Sequence, residues 1–126
     1  RCIDCNRRRE THRVDLSRLP PRCSCGGIYR PDCVFFGEMI PPHLLARSQQ
    51  LAAQCDIMLV VGTSATVQPA AMIPLLAKET GARVIEINPE PTPLTGRVSD
   101  YLLEGAAGAV LEDIVACMEK QRGAAR

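Results

Sequence analysis

The chain has 126 residues, a formal net charge of +1, and 46% hydrophobic against 23% charged residues. That length fits one ordinary domain or two small ones, and the apolar share argues against disorder. No apolar run reaches the roughly 18 residues of a membrane span, and the opening Arg1-Cys2-Ile3-Asp4-Cys5 is neither a signal peptide nor a starting Met, so it reads as a cut inside a longer protein.

The charge is uneven. Residues 1–22 carry seven Arg against three acids, while the rest carries eight basic and eleven acidic groups. Such a basic end can contact nucleic acid or an acidic partner, but no aromatic residues interleave with Arg7-Arg8-Arg9 to stack bases, so a solvated surface is the stronger reading. There are seven cysteines, four clustered and three scattered. An odd count beside an α/β pattern favours a metal and a reducing, cytoplasmic compartment over a secreted disulfide scaffold.

Cys2 and Cys5 form a Cys-x-x-Cys pair; seventeen residues later Cys23 and Cys25 form a Cys-x-Cys pair. Two such knuckles can place four thiolates tetrahedrally around one Zn ion, with Gly26-Gly27 allowing the second to turn tightly. Four protein ligands leave no open position for water, so the metal role predicted for this module, residues 1–33, is structural. His12 is expected on the surface.

Val34-Phe35-Phe36 suits a strand stopped by Gly37, ahead of Glu38; read on its own, it packs two aromatics at the seam between modules. A helix is predicted from about His43 to Gln54, with Leu44, Leu51 and Cys55 along one stripe widened by Leu45 and Ala52. His43 falls in its exposed first turn. Asp56 to Val61 is an unbroken apolar run, the pattern of a strand buried on both faces of a parallel sheet, and Cys55 ahead of it reads as a small buried hydrophobe.

Gly62-Thr63-Ser64 follows this strand, where open α/β sheets bind ligands, although a plain strand-to-helix turn fits these three residues equally well. Pro69 is placed to open a helix, Pro74 to kink it, and Gly81 to end it. Arg83 to Asn88 reads as a second buried strand, with Asn88 either a turn former before Pro89 or a ribose ligand. Pro89 to Thr95 is expected to run extended over the surface. A short strand over Tyr101–Glu104 stops at Gly105. A last helix follows with Val110, Leu111, Ile114, Val115 and Met118 on one face; Cys117 and Met118 are expected in the core, and the tail from Gln121 to Arg126 frayed.

Taken together, the two cysteine pairs, Arg30-Pro31-Asp32-Cys33-Val34-Phe35-Phe36-Gly37-Glu38, Gly62-Thr63-Ser64-Ala65-Thr66-Val67-Gln68-Pro69-Ala70-Ala71 and Ile85-Glu86-Ile87-Asn88-Pro89 make the chain resemble a sirtuin, the family of NAD-dependent protein-lysine deacylases. The resemblance covers the later part of the sirtuin catalytic domain. It implies an α/β fold: the later half of a Rossmann-like parallel sheet over residues 34–126, with an inserted zinc-ribbon module. It also implies NAD contacts at Gly62, Thr63, Ser64, Asn88 and Ala107, the last by backbone. Phe36, Gly37 and Glu38 on one side and Val67 on the other would border an acyl-lysine peptide or protein substrate. Sirtuins also carry an early Gly-Ala-Gly loop and a catalytic His before the first zinc cysteine. Neither is matched here, so no catalytic residue is assigned and the chain alone is expected to be inactive. A non-catalytic, zinc-stabilised interaction or nucleic-acid-binding module is the alternative, and neither reading involves a membrane.

Overall fold

The computed structural model describes residues 1–124. The chain forms two compact units, one over Arg1–Ile40 and one beginning at Pro41.

The first unit contains little regular structure: a single 3-10 turn over Thr11–Arg13 and two isolated antiparallel bridges, Cys2 with Tyr29 and Arg22 with Ile28. Its apolar core is Cys2, Cys23 and Tyr29, with Val14 packed against them. The strand predicted over Val34–Phe36 does not form. Residues 35–38 make a turn closed by the Glu38 N–H donating to the Phe35 carbonyl, and Gly37 supplies its positive φ of 84°. Phe36 is 92% exposed.

In the second unit the order is α1 (Pro42–Ala52), β1 (Ile57–Val61), α2 (Met72–Glu79), β2 (Arg83–Asn88), β3 (Tyr101–Glu104) and α3 (Ala107–Ala124). The three strands form a parallel sheet with β2 central, and α2 connects β1 to β2. Pro42 opens α1, where an N–H would have no partner in any case. Pro74 does not kink α2, because the helix starts at Met72 and puts Pro74 in its first turn. At the other end Gly81 takes φ 102°, its N–H donates to Lys78 and that of Ala82 to Ala77, the paired bonds of a Schellman cap.

Alternate residues of the strands face opposite sides. Met58, Val60, Val84 and Glu86 share one side. There Val60 and Val84 pack with Leu94, while Ala52, Ala77 and Ala82 join α1 to α2 with Met58 and Cys55 against them. The other side is covered only over its centre, where Ile87 is fully buried, while Ile57, Leu59, Val61, Tyr101 and Leu103 are exposed. The expectation that β1 is buried on both faces is therefore wrong; β1 is an edge strand, and among the described residues only one of its faces is covered. The same shortage of partners leaves Leu44 and Leu51 of α1 and Val115, Cys117 and Met118 of α3 exposed, against the predicted core, while Val110, Leu111 and Ile114 are half-buried. The predicted frayed tail is helical through Ala124; its last two residues lie outside those described.

Asp100 fixes the β2 end of this arrangement. Its carboxylate accepts from Lys78 Nζ at 2.7 Å, Arg83 Nη1 at 3.0 Å and the Val84 N–H at 2.9 Å, while its own N–H donates to the Val84 carbonyl. With Lys78 the foremost cause, these contacts hold the carboxyl well below the usual range. Among the described residues no helix is long and apolar enough to cross a membrane.

Candidate functional site

Two sets of residues carry chemistry, one in each unit. In the first, the Sγ atoms of Cys2, Cys5, Cys23 and Cys25 all lie within 4.8 Å of one another; Cys2 to Cys25 is 3.6 Å and Cys5 to Cys23 is 3.7 Å. Thiolates at zinc bond lengths of about 2.3 Å in a tetrahedron stand about 3.8 Å apart, close to the Cys2–Cys25 and Cys5–Cys23 separations, so the set suits such an ion. The knuckles are built by backbone: Asn6 and Gly26 adopt positive φ of 58° and 93°, the Asn6 N–H donates to Cys2 and the Gly26 N–H to Cys23. Gly27 is buried so closely that a Cβ would stand 2.8 Å from the Cys2 sulfur.

The thiols titrate apart. The Cys25 N–H, helped by the Tyr29 hydroxyl, lowers Cys23 to about 6. At Cys25 the Gly27 N–H also favours the thiolate, but the neighbouring sulfurs of Cys5 and Cys2 outweigh it and push the group up to about 12. Four thiolates cannot share this space without a cation, and a divalent ion removes the conflict. His12 is exposed beside Glu10 and is no part of the cluster.

The segment holding Phe36, Gly37 and Glu38 is organised by Arg30, whose importance the sequence reading missed. Arg30 grips Glu38 through two bonds of 2.6 and 2.8 Å, donates to the Cys33 carbonyl, and lies 4.8 Å from the centre of the Phe35 ring. Glu38 in turn accepts the Phe35 N–H at 3.1 Å. Arg30 is the main reason that the Glu38 carboxyl falls to about 2. A carboxyl lowered on folding stabilises the turn above its ordinary value near 4.5, and that support is lost as pH falls toward 2. Replacing Arg30 with Gln is expected to return Glu38 toward its ordinary range and to open the turn at a higher pH. A carboxyl-carbon NMR titration checks this; an unmoved Glu38 in the variant would refute it.

In the second unit, Gly62, Thr63, Ser64, Asn88 and the turn before Ala107 come together along the carboxyl edge of the sheet. Each follows one of three adjacent parallel strands, and the ladder aligns them: Val61 pairs with Ile87 and Asn88 with Glu104. The Gly62 N–H donates to the Ile87 carbonyl and the Gly105 N–H to the Asn88 carbonyl. Gly62 has φ 60° with open space beside it, so the backbone is left uncovered. Thr63 Oγ1 accepts the Ala65 N–H at 3.1 Å, and the Ser64 and Thr66 hydroxyls pair at 3.1 Å. Asn88 Nδ2 donates to the Glu90 carbonyl at 2.7 Å. Val67 is exposed beyond this turn.

Pro89 to Thr95 is not extended over the surface as predicted. It folds back: Leu94 enters the core, and the Thr92 and Thr95 hydroxyls donate to the carboxylate of Glu86, which has no exposed surface at all. The signal was present in the sequence as a single carboxylate in the middle of an apolar strand.

A parallel sheet with open, hydroxyl-bearing turns along one carboxyl edge belongs to the nucleotide-binding α/β class. Within that class the chain belongs to the Sir2 family, which its residues 1–69 match. It is 44% identical over 121 residues to NAD-dependent protein deacylase 1 of Archaeoglobus fulgidus, an alignment covering 95% of this chain and 49% of that protein. Among solved structures, a mutant Sir2 homologue in complex with ADP-ribose superposes with a TM-score of 0.84 at 43% identity, over 98% of this chain and 49% of the other. A Sir2–p53 peptide–NAD+ structure superposes with a TM-score of 0.77 at 26% identity, over 91% and 50%. The chain thus spans about half the length of the relatives it matches.

Proposed function

We propose that this chain is the part of an NAD-dependent protein-lysine deacylase that carries the adenosine-side nucleotide edge, substrate-contacting positions and a structural zinc. The alignment of three ligand-ready turns on one carboxyl edge carries the reading; the deacylase names of relatives and the ADP-ribose and NAD+ complexes of similar structures support it.

Thr63 and Ser64 offer N–H and hydroxyl donors beside the open backbone of Gly62, Asn88 an amide for ribose hydroxyls, and Ala107 backbone for the base. Phe36, Gly37 and Glu38 in the first unit, and Val67 in the second, are the positions assigned to contact an acyl-lysine peptide, read backbone to backbone. Cys2, Cys5, Cys23 and Cys25 are the zinc ligands of the first module, and the partial nucleotide domain takes in the second unit, from Pro41 onward. The free thiols suit a reducing, cytoplasmic setting. NAD supplies the glycosidic bond to nicotinamide that breaks and the ribose that receives the acyl group; the residues here bind and orient.

ADP-ribose titrated into the labelled chain is expected to shift the amide signals of Gly62, Asn88 and Gly105 together. Shifts elsewhere, or none at millimolar ligand, would count against the assignment.

A further inference from the structure

We propose that Glu86 is a positioning residue for the Asn88–Glu90 end of the nucleotide edge, acting through the turn that follows it. The inference rests on the nucleotide reading above only in what it says of ligand affinity. Its structural part stands on the geometry alone.

Glu86 lies in the middle of the central strand and is wholly buried. A carboxylate in that position is costly to bury unless it is saturated with donors. Burial pushes the Glu86 carboxyl up, but the hydroxyls, Thr92 foremost, more than offset it and leave the group below its ordinary value. Thr92 and Thr95 both donate to it, Thr95 at 2.7 Å. Each hydroxyl also accepts a backbone N–H of the same turn: Thr95 Oγ1 that of Thr92 at 2.9 Å, and Thr92 Oγ1 that of Leu94 at 3.1 Å. One carboxylate therefore organises two side chains and two main-chain groups. Leu94, held by this network, packs on Val60 and Val84.

The consequence reaches the site because the turn is short. Asn88 and Glu90 lie between the carboxylate and the threonines that it holds, and the Asn88 amide is itself held by the Glu90 carbonyl. With both ends of that segment fixed, one by the β2 ladder and one by Glu86, the Asn88 side chain has a single place at the edge of the sheet. A hydrophobic residue in place of Glu86 would fill the core equally well and leave the turn free. The clamp thus has a use that burial alone does not explain.

The test compares the intact chain with Glu86→Gln and Thr95→Val, the latter keeping the carboxylate and its Thr92 partner. Charge-assisted bonds are stronger than neutral ones, so the Thr92 and Leu94 amides are expected to exchange roughly tenfold faster in both variants while those of Val60 and Val84 keep their protection. The Asn88 side-chain NH2 resonances are expected to move, and ADP-ribose affinity to fall roughly three- to tenfold. Glu86→Asp, which keeps the charge, is expected to recover part of each effect. Unmoved Asn88 resonances in both variants would overturn the proposal, as would faster exchange with unaltered ADP-ribose affinity. If the intact chain binds no ADP-ribose, the nucleotide reading fails, and the Asn88 resonances still decide whether the clamp exists.

Discussion

Removing the metal from the Cys2–Cys25 cluster, or replacing Cys23 with Ala, is expected to unfold the first unit and to leave the parallel sheet standing. Two of the three residues of that unit's apolar core are themselves ligands, Cys2 and Cys23, and the third, Tyr29, stands by Cys23. No helix longer than one 3-10 turn and no continuous strand ladder backs them up among the described residues. Ordering the backbone costs about 1–2 kcal/mol per residue, and so small an apolar core cannot offset that across the unit. Zinc binding adds about 10–16 kcal/mol that the unfolded chain lacks, enough to tip the balance toward the folded unit. Chelation should therefore abolish the dispersed amide signals of residues 1–40 while Val84 and Ile87 of the central strand stay protected. The cysteine variant should lose the metal, and a variant that kept its zinc and its melting profile would refute the assignment.

Turnover is the second large effect. The chain alone is expected to release no nicotinamide from NAD above background, with or without an acetyl-lysine peptide, and to gain that activity when joined to the remaining half of its Archaeoglobus relative. The resemblance to sirtuins implies a His base acting on a ribose hydroxyl. His12 lies beside Glu10 on the surface of the first unit, His43 is exposed in the first turn of α1, and neither precedes the first zinc cysteine, where the resemblance puts that base. General-base assistance is worth roughly 100- to 10,000-fold in rate, and its restoration is easily read. Turnover by the unextended chain would refute the expectation, and a joined protein that binds zinc and ADP-ribose without turnover would point to a non-catalytic role.

The elements governed by local chemistry were readable from the sequence. Strand β2, from Arg83 to Asn88, falls where its apolar run predicts, Gly81 caps α2 through its positive φ, and the four cysteines converge as their spacing implies. What failed depended on partners that a pattern cannot name. An apolar run says that a strand can be buried, not that something covers both faces, and so Ile57, Leu59 and Val61 were misread. Proline-rich composition suggested an extended surface path, while the decisive fact about residues 89–95 was an acceptor lying outside them, at Glu86. Phe35 and Phe36 read as strand formers because β-propensity registers shape; the turn there is set by Arg30, eight residues ahead of Glu38 and invisible to any local window.

The alternation of β2 makes parity, more than length, its tightest constraint. Glu86 and Asn88 share a side and Ile87 takes the other, so one residue inserted between Arg83 and Glu86 would turn the carboxylate out of its threonine nest and send Asn88 to the wrong face. Two residues inserted there would restore the sides and merely shift the height. Along this strand, then, odd insertions and deletions are forbidden where even ones are only costly.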